Sequence, residues 1–137
     1  MNQAIRTRKI ETLYPSTGPL SRQAYSRHVE FFAAGRIHRE RAIIAGNRTG
    51  KSEAGAYEVA LHATGQYPEC WPGRRFNRTV KIWVAGDTAN TARDILQTKL
   101  LGPVGDFGTG LIPKKAIERL TYKRNLADAV QDITGNG

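Results

Sequence analysis

The chain has 137 residues, an ordinary hydrophobic share of 39%, a net charge of +9 and one cysteine, Cys70. A length of this order suits one domain or part of a larger one, and the charge points to a polyanionic partner such as DNA or RNA. The composition argues against a membrane span, a secretory signal, an internal disulfide and a zinc site, and one cysteine fits a reducing, cytoplasmic compartment.

Residues 1–20 read as a flexible basic arm, with Pro15-Ser16-Thr17-Gly18-Pro19 as a turn cluster. Ser21 can cap a helix to about Ala34, in which Tyr25, Val29, Phe32 and Ala33 recur on one face and Gly35 is the stop. Arg41 to Gly46 predicts a short buried strand. A glycine-containing loop follows, then a helix from about Lys51 to Thr64, with Ala54, Tyr57, Ala60 (or Leu61) and Thr64 inward and Gly65 closing it. Gly65 to Arg78 reads as a surface loop, in which Trp71 is expected to be exposed. Thr79 to Ala85 predicts a second strand, which would bury Trp83. Asp87 can cap a helix through Ala92, Ile95, Leu96 and Leu100. Gly102 to Pro113 reads as a loop and Lys114 to Leu120 as a short helix. The stretch from Asp128 to Gly137 reads as a tail without a terminal element. Strand, helix, strand, helix predicts an α/β fold: a parallel sheet with flanking helices and right-handed crossovers.

The segment Ala45-Gly46-Asn47-Arg48-Thr49-Gly50-Lys51-Ser52 matches Gly-x-x-x-x-Gly-Lys-Ser/Thr at every position except the first. It stands between an expected strand and an expected helix, the context a phosphate loop requires. Gly46 and Gly50 let the backbone curl so that several N–H groups face one anion, and the helix start adds partial positive charge. Lys51 is expected on the β- and γ-phosphates of ATP, and the Ser52 hydroxyl on Mg²⁺. Arg48 is open between two roles: an arginine finger on the γ-phosphate, or a solvated loop residue. The bland alternative is a strand-to-helix turn with an exposed lysine.

Several segments together resemble the ATPase domain of phage terminase large subunits. They are Tyr25 to Gly35, Arg41 to Ser52, Gly55 to Pro68, Gly73 to Phe76 and Lys81 to Gly86. The stretch Glu58-Val59-Ala60-Leu61-His62-Ala63-Thr64-Gly65-Gln66-Tyr67-Pro68 makes the resemblance more specific than the loop alone, and it covers about Tyr25 to Ile117. The resemblance implies that residues 21–137 are the N-terminal part of a P-loop ATPase domain, an incomplete P-loop NTPase fold. ATP and Mg²⁺ are then the cofactors, bound by a Walker A loop that powers DNA translocation in the complete protein. The implied partners are double-stranded DNA, a terminase small subunit and a portal ring, with a ring oligomer in the complete motor. The implied setting is the cytoplasm of a bacterial host, from a phage or prophage gene, without a membrane. His28 falls where relatives carry an adenine contact; a helix-face histidine without a ligand is the alternative. Ala45 at the first loop position is similar to other members. The family's loop arginine often stands one position earlier, where this chain has Asn47.

The apolar strand ending in Asp-Glu, the coupling motif and the nuclease domain of such motors are not visible in the sequence. Asp87 reads as a helix cap rather than a substitute. The chain is therefore expected to bind nucleotide without efficient hydrolysis. Two other classes compete. One is a small basic DNA-binding protein with a vestigial phosphate loop. The other is a small-molecule kinase or transferase with Arg74 and Arg75 as its lid.

Overall fold

Alanine, glutamate and leucine favour helix across Lys51–Thr64, and the computed structural model, which describes residues 9–135, forms α3 there. Two short helices precede it, α1 (Lys9–Thr12) and α2 (Ser26–Ala34). Of the arm expected over residues 1–20, the first eight lie outside the described residues. Of the rest, Ile10 is buried and the Tyr14 ring packs on Phe32 and Tyr57, while residues 15–20 are exposed.

Helix α2 begins later than Ser21 suggests. Ser21 is buried in a preceding turn, where its hydroxyl accepts the Ala24 N–H at 3.4 Å. Gly35 follows the helix as expected. Helix α3 is the central element and packs on α1, α2 and α5 (Thr98–Leu101). It buries Ala54, Tyr57, Ala60 and Leu61 as its sequence pattern predicts, and also Ala56 and Glu58. Gly65 ends it by donating its N–H to the Leu61 carbonyl. Phe32, Tyr57 and Trp71 form an aromatic nucleus beside α3, with the Phe32 and Trp71 ring centroids 4.8 Å apart. Leu100, Leu101, Leu111 and Ile112 extend the core.

Helix α4 (Ala89–Thr91), a π-helical segment (Ala92–Gln97) and α5 run on without a break. Their cap is Thr88, not Asp87: the Thr88 hydroxyl accepts the Thr91 N–H at 3.1 Å, while Asp87 accepts the Thr88 N–H at 2.9 Å. The carboxylate thus braces the cap from one residue outside the helix.

The fold is mixed α and β, but its sheet corrects the expected one. Neither Arg41–Gly46 nor Thr79–Ala85 is assigned as a strand. Ile44 is 95% exposed and Trp83 97% exposed. A buried parallel strand needs hydrogen-bonded neighbours and helices over both faces, and the described residues supply no neighbouring strand to either segment. The sheet that does form among the described residues is an antiparallel pair, β1 (Ile117–Tyr122) and β2 (Val130–Gly135). The expected helix over Lys114–Leu120 reduces to a 3-10 turn, Lys114–Ala116. Ile117, Thr121 and Tyr122 suit the strand that replaces the rest. The tail expected to be bare carries β2. The Gln97 amide holds it to the helix, accepting the Val130 N–H at 2.7 Å and donating to the Asp128 carbonyl at 2.8 Å. No helix among the described residues is long and apolar enough to cross a membrane.

Candidate functional site

Ala45 to Thr49 are exposed and lead through a half-buried Gly50 directly into α3, whose first two residues are Lys51 and Ser52. Gly50 is the pivot: at φ 80° and ψ 14° it takes the left-handed conformation that L side chains avoid, and Lys51 begins the helix. The first helical hydrogen bond runs from the Ala54 N–H to the Gly50 carbonyl at 2.8 Å. The N–H groups just ahead of it carry the partial positive charge of a helix start. Thr49 closes the turn by donating its hydroxyl to the Gly46 carbonyl at 2.9 Å. Arg48 is exposed and also has a positive φ, 59°.

The Lys51 ammonium folds back over the loop, donating to the Ala45 carbonyl and to the Gly46 carbonyl at 2.7 Å. Its charge therefore lies within the curl of the backbone. Ser52 is exposed on the first turn of α3. The structure thus keeps Arg48, Lys51 and Ser52 around one turn, and it brings His28 to the same place from α2. His28 is 6% exposed, and a Cβ at Gly50 would stand 3.0 Å from its Cε1. Its Nδ1 shares a hydrogen bond of 2.9 Å with the Tyr14 hydroxyl. Burial, with the Glu53 carboxylate nearby, pushes the Tyr14 phenol above its usual range, so it stays protonated.

Glu53 follows Ser52 but faces lysines rather than the loop. It pairs with Lys99 at 2.8 Å and Lys9 at 3.6 Å. Burial pushes its carboxyl up, and the two lysines outweigh burial and hold it below the usual range. Among the described residues no group of three or more His, Cys, Asp or Glu side chains is gathered to hold a metal ion.

A charged network absent from the sequence reading lies behind the loop. The Arg41 guanidinium pairs with Glu58 at 2.6 Å; the same carboxylate oxygen lies 3.3 Å from His62 Nε2, and His62 Nδ1 meets the Tyr67 hydroxyl at 2.8 Å. Burial pushes the Glu58 carboxyl up, but His62 and Arg41 together hold it below the usual range. The i,i+4 spacing of Glu58 and His62 is visible in the sequence. The approach of Arg41 is not, because it depends on the path of the chain between α2 and the loop. Trp71 and Trp83 reverse their expected places: Trp71 is 6% exposed and donates its indole N–H to the Arg74 carbonyl at 2.9 Å.

No family model matches the chain, and no solved structure matches it. The chain is 35% identical to the terminase large subunit of Salmonella phage P22 over an alignment of 136 residues, which takes in 79% of this chain and 27% of the phage protein. The resemblance to terminase large subunits is therefore shown by sequence, and the chain spans about a quarter of that relative's length.

Proposed function

We propose that this chain, a sequence relative of phage terminase large subunits, is the nucleotide-binding portion of a viral DNA-packaging motor and takes ATP with Mg²⁺ on the loop from Ala45 to Ser52. What carries the reading is the loop's shape: a left-handed Gly50 opening a 14-residue helix at Lys51, whose ammonium already lies over the loop carbonyls. The residues fit the ligand. The N–H groups at the start of α3 and the curled backbone suit a phosphate. With nucleotide bound, Lys51 would exchange the Ala45 and Gly46 carbonyls for phosphate oxygens. The exposed Ser52 hydroxyl is the group to join the Mg²⁺ shell, and the ion's charge offsets that of the phosphates. Arg48, exposed on the same turn, would reach the γ-phosphate, and His28, beside Gly50, would hold the adenine side.

In the complete protein the site powers movement of double-stranded DNA, in a ring assembled with a small subunit and a portal, in the bacterial cytoplasm. The chain's positive charge supports the DNA partner. The acidic pair needed for efficient hydrolysis is not among the residues gathered at the loop.

The test is titration with a fluorescent ATP analogue and Mg²⁺, beside Lys51→Ala. Saturable binding is expected in the unaltered chain. The variant should bind at least about tenfold more weakly, the equivalent of a lost charge-assisted hydrogen bond. Absence of binding by both folded proteins would overturn the reading. Salt-sensitive DNA binding indifferent to Lys51→Ala would then mark a basic DNA-binding protein with a vestigial loop.

A further inference from the structure

We infer that Arg41 is a positioning residue for the phosphate loop: held by Glu58, it locks the end of α2 and the segment entering the loop onto α3, and so seats His28 against Gly50. The inference rests on the nucleotide-binding reading above for its functional consequence, though not for its geometry.

One guanidinium joins two helices to the segment that carries it. Its Nη2 pairs with Glu58, two turns along α3 from Lys51, at 2.6 Å. Its Nη1 donates to the Phe31 carbonyl at 2.6 Å and lies 3.5 Å from that of Phe32, both in the last turn of α2. The guanidinium carbon stands 4.4 Å from the centre of the Phe31 ring. Arg41 itself heads the segment that runs into Ala45. The approach to α2 is close enough that a Cβ at Gly35 would lie 2.6 Å from the guanidinium. His28 sits one turn before Phe31 and Phe32 on the same helix, and its ring packs on Gly50.

This anchor matters because the segment from Arg41 to Gly46 has no strand beside it among the described residues. Hydrogen bonding along a sheet would ordinarily hold the inbound side of such a loop. Here the fixed points are Arg41 at one end and α3 at the other. A planar fork of five N–H donors can hold a carboxylate and a helix carbonyl at once. A lysine ammonium keeps the charge but cannot span both sites in the same geometry.

The experiment uses the full chain, ¹⁵N-labelled, and reads the Gly50 amide and His28 ring resonances, thermal melting and affinity for the ATP analogue with Mg²⁺. Arg41→Lys and Glu58→Gln are compared with Leu111→Ala, a buried core change that removes none of the pair's hydrogen bonds. We expect Arg41→Lys to melt cooperatively, shift the Gly50 and His28 signals and weaken the analogue about tenfold, the worth of one hydrogen bond at the loop. Glu58→Gln should act in the same direction and less strongly. Leu111→Ala should lower the melting temperature without moving either signal. A folded Arg41→Lys with unchanged signals and affinity overturns the inference. If Arg41→Lys does not fold, Glu58→Gln decides by the same readouts. If the unaltered chain binds no analogue, the nucleotide reading fails, and the Gly50 and His28 shifts alone decide whether Arg41 positions the loop.

Discussion

Trp71 and Trp83 occupy opposite environments. Trp71 lies in the irregular stretch after α3, yet Phe32, Tyr57 and Tyr67 surround its ring and Arg74 accepts its N–H. Trp83 lies in the most strand-like run of the chain, Lys81-Ile82-Trp83-Val84-Ala85, and is almost wholly exposed. Side-chain chemistry is the same in both cases, so the difference lies in the partners. The loop carrying Trp71 falls beside α2 and α3, which bring their own aromatic faces. The segment carrying Trp83 would need strands on either side, and the described residues form no sheet there.

The contrast is broken most directly by truncation. Trp71→Ala removes a buried indole and its hydrogen bond, and should lower stability by about 3–5 kcal/mol. Urea denaturation measures this. A loss below about 1 kcal/mol would mean that the aromatic nucleus around α3 is not a fixed core.

Acid should act on the same region through Glu58. Its carboxyl is held below its unfolded value by His62 and Arg41 against the cost of burial. A depressed carboxyl stabilises the fold at pH values above the unfolded pKa of about 4.3, and that contribution fades as pH falls through the folded value. Unfolding of the Trp71 region, followed by its fluorescence, should therefore begin below about pH 4.3. In Glu58→Gln the dependence should flatten. An acid transition of unchanged position and steepness in that variant would remove Glu58 from the account.

Gly50→Ala tests how much of the loop's shape resides in one backbone conformation. A left-handed alanine costs about 1–2 kcal/mol, and its Cβ would also meet the His28 ring at 3.0 Å. Melting should show that loss, and nucleotide binding should fall with it. Equal stability and affinity in the variant would show that the turn does not depend on Gly50.

These comparisons explain how much was legible in the sequence. Helix α3 was legible because its residues favour helix locally and glycines bound it. The turn into α3 was legible because the left-handed conformation at Gly50 favours glycine just before a helix start. Residues 41–46 and 79–85 have the apolar character of strands, and apolar character cannot supply a neighbour. The hairpin of β1 and β2 was missed because its pairing crosses the turn Lys123–Ala129 and depends on Gln97 from a distant helix. In the sequence Arg41 stands only at the head of an apolar run. Its partners, Glu58 and the Phe31 carbonyl, become neighbours only after α2 and α3 have packed.

The smallest expected effect is also the sharpest probe of the exposed segment. Trp83→Ala should change stability by no more than about 0.5 kcal/mol, since the ring leaves almost no protein contact behind. With Trp71→Phe in place, Trp83 is the remaining tryptophan, and its emission should be red-shifted and readily quenched by acrylamide. The same measurement in a longer protein containing this chain asks whether added strands cover the segment. A blue shift there, with a larger penalty for Trp83→Ala, would mean that the apolar run is a strand whose partners lie elsewhere. Unchanged emission would mean that its exposure belongs to the fold itself, and the unpaired segment would then be a surface open to strand pairing between molecules.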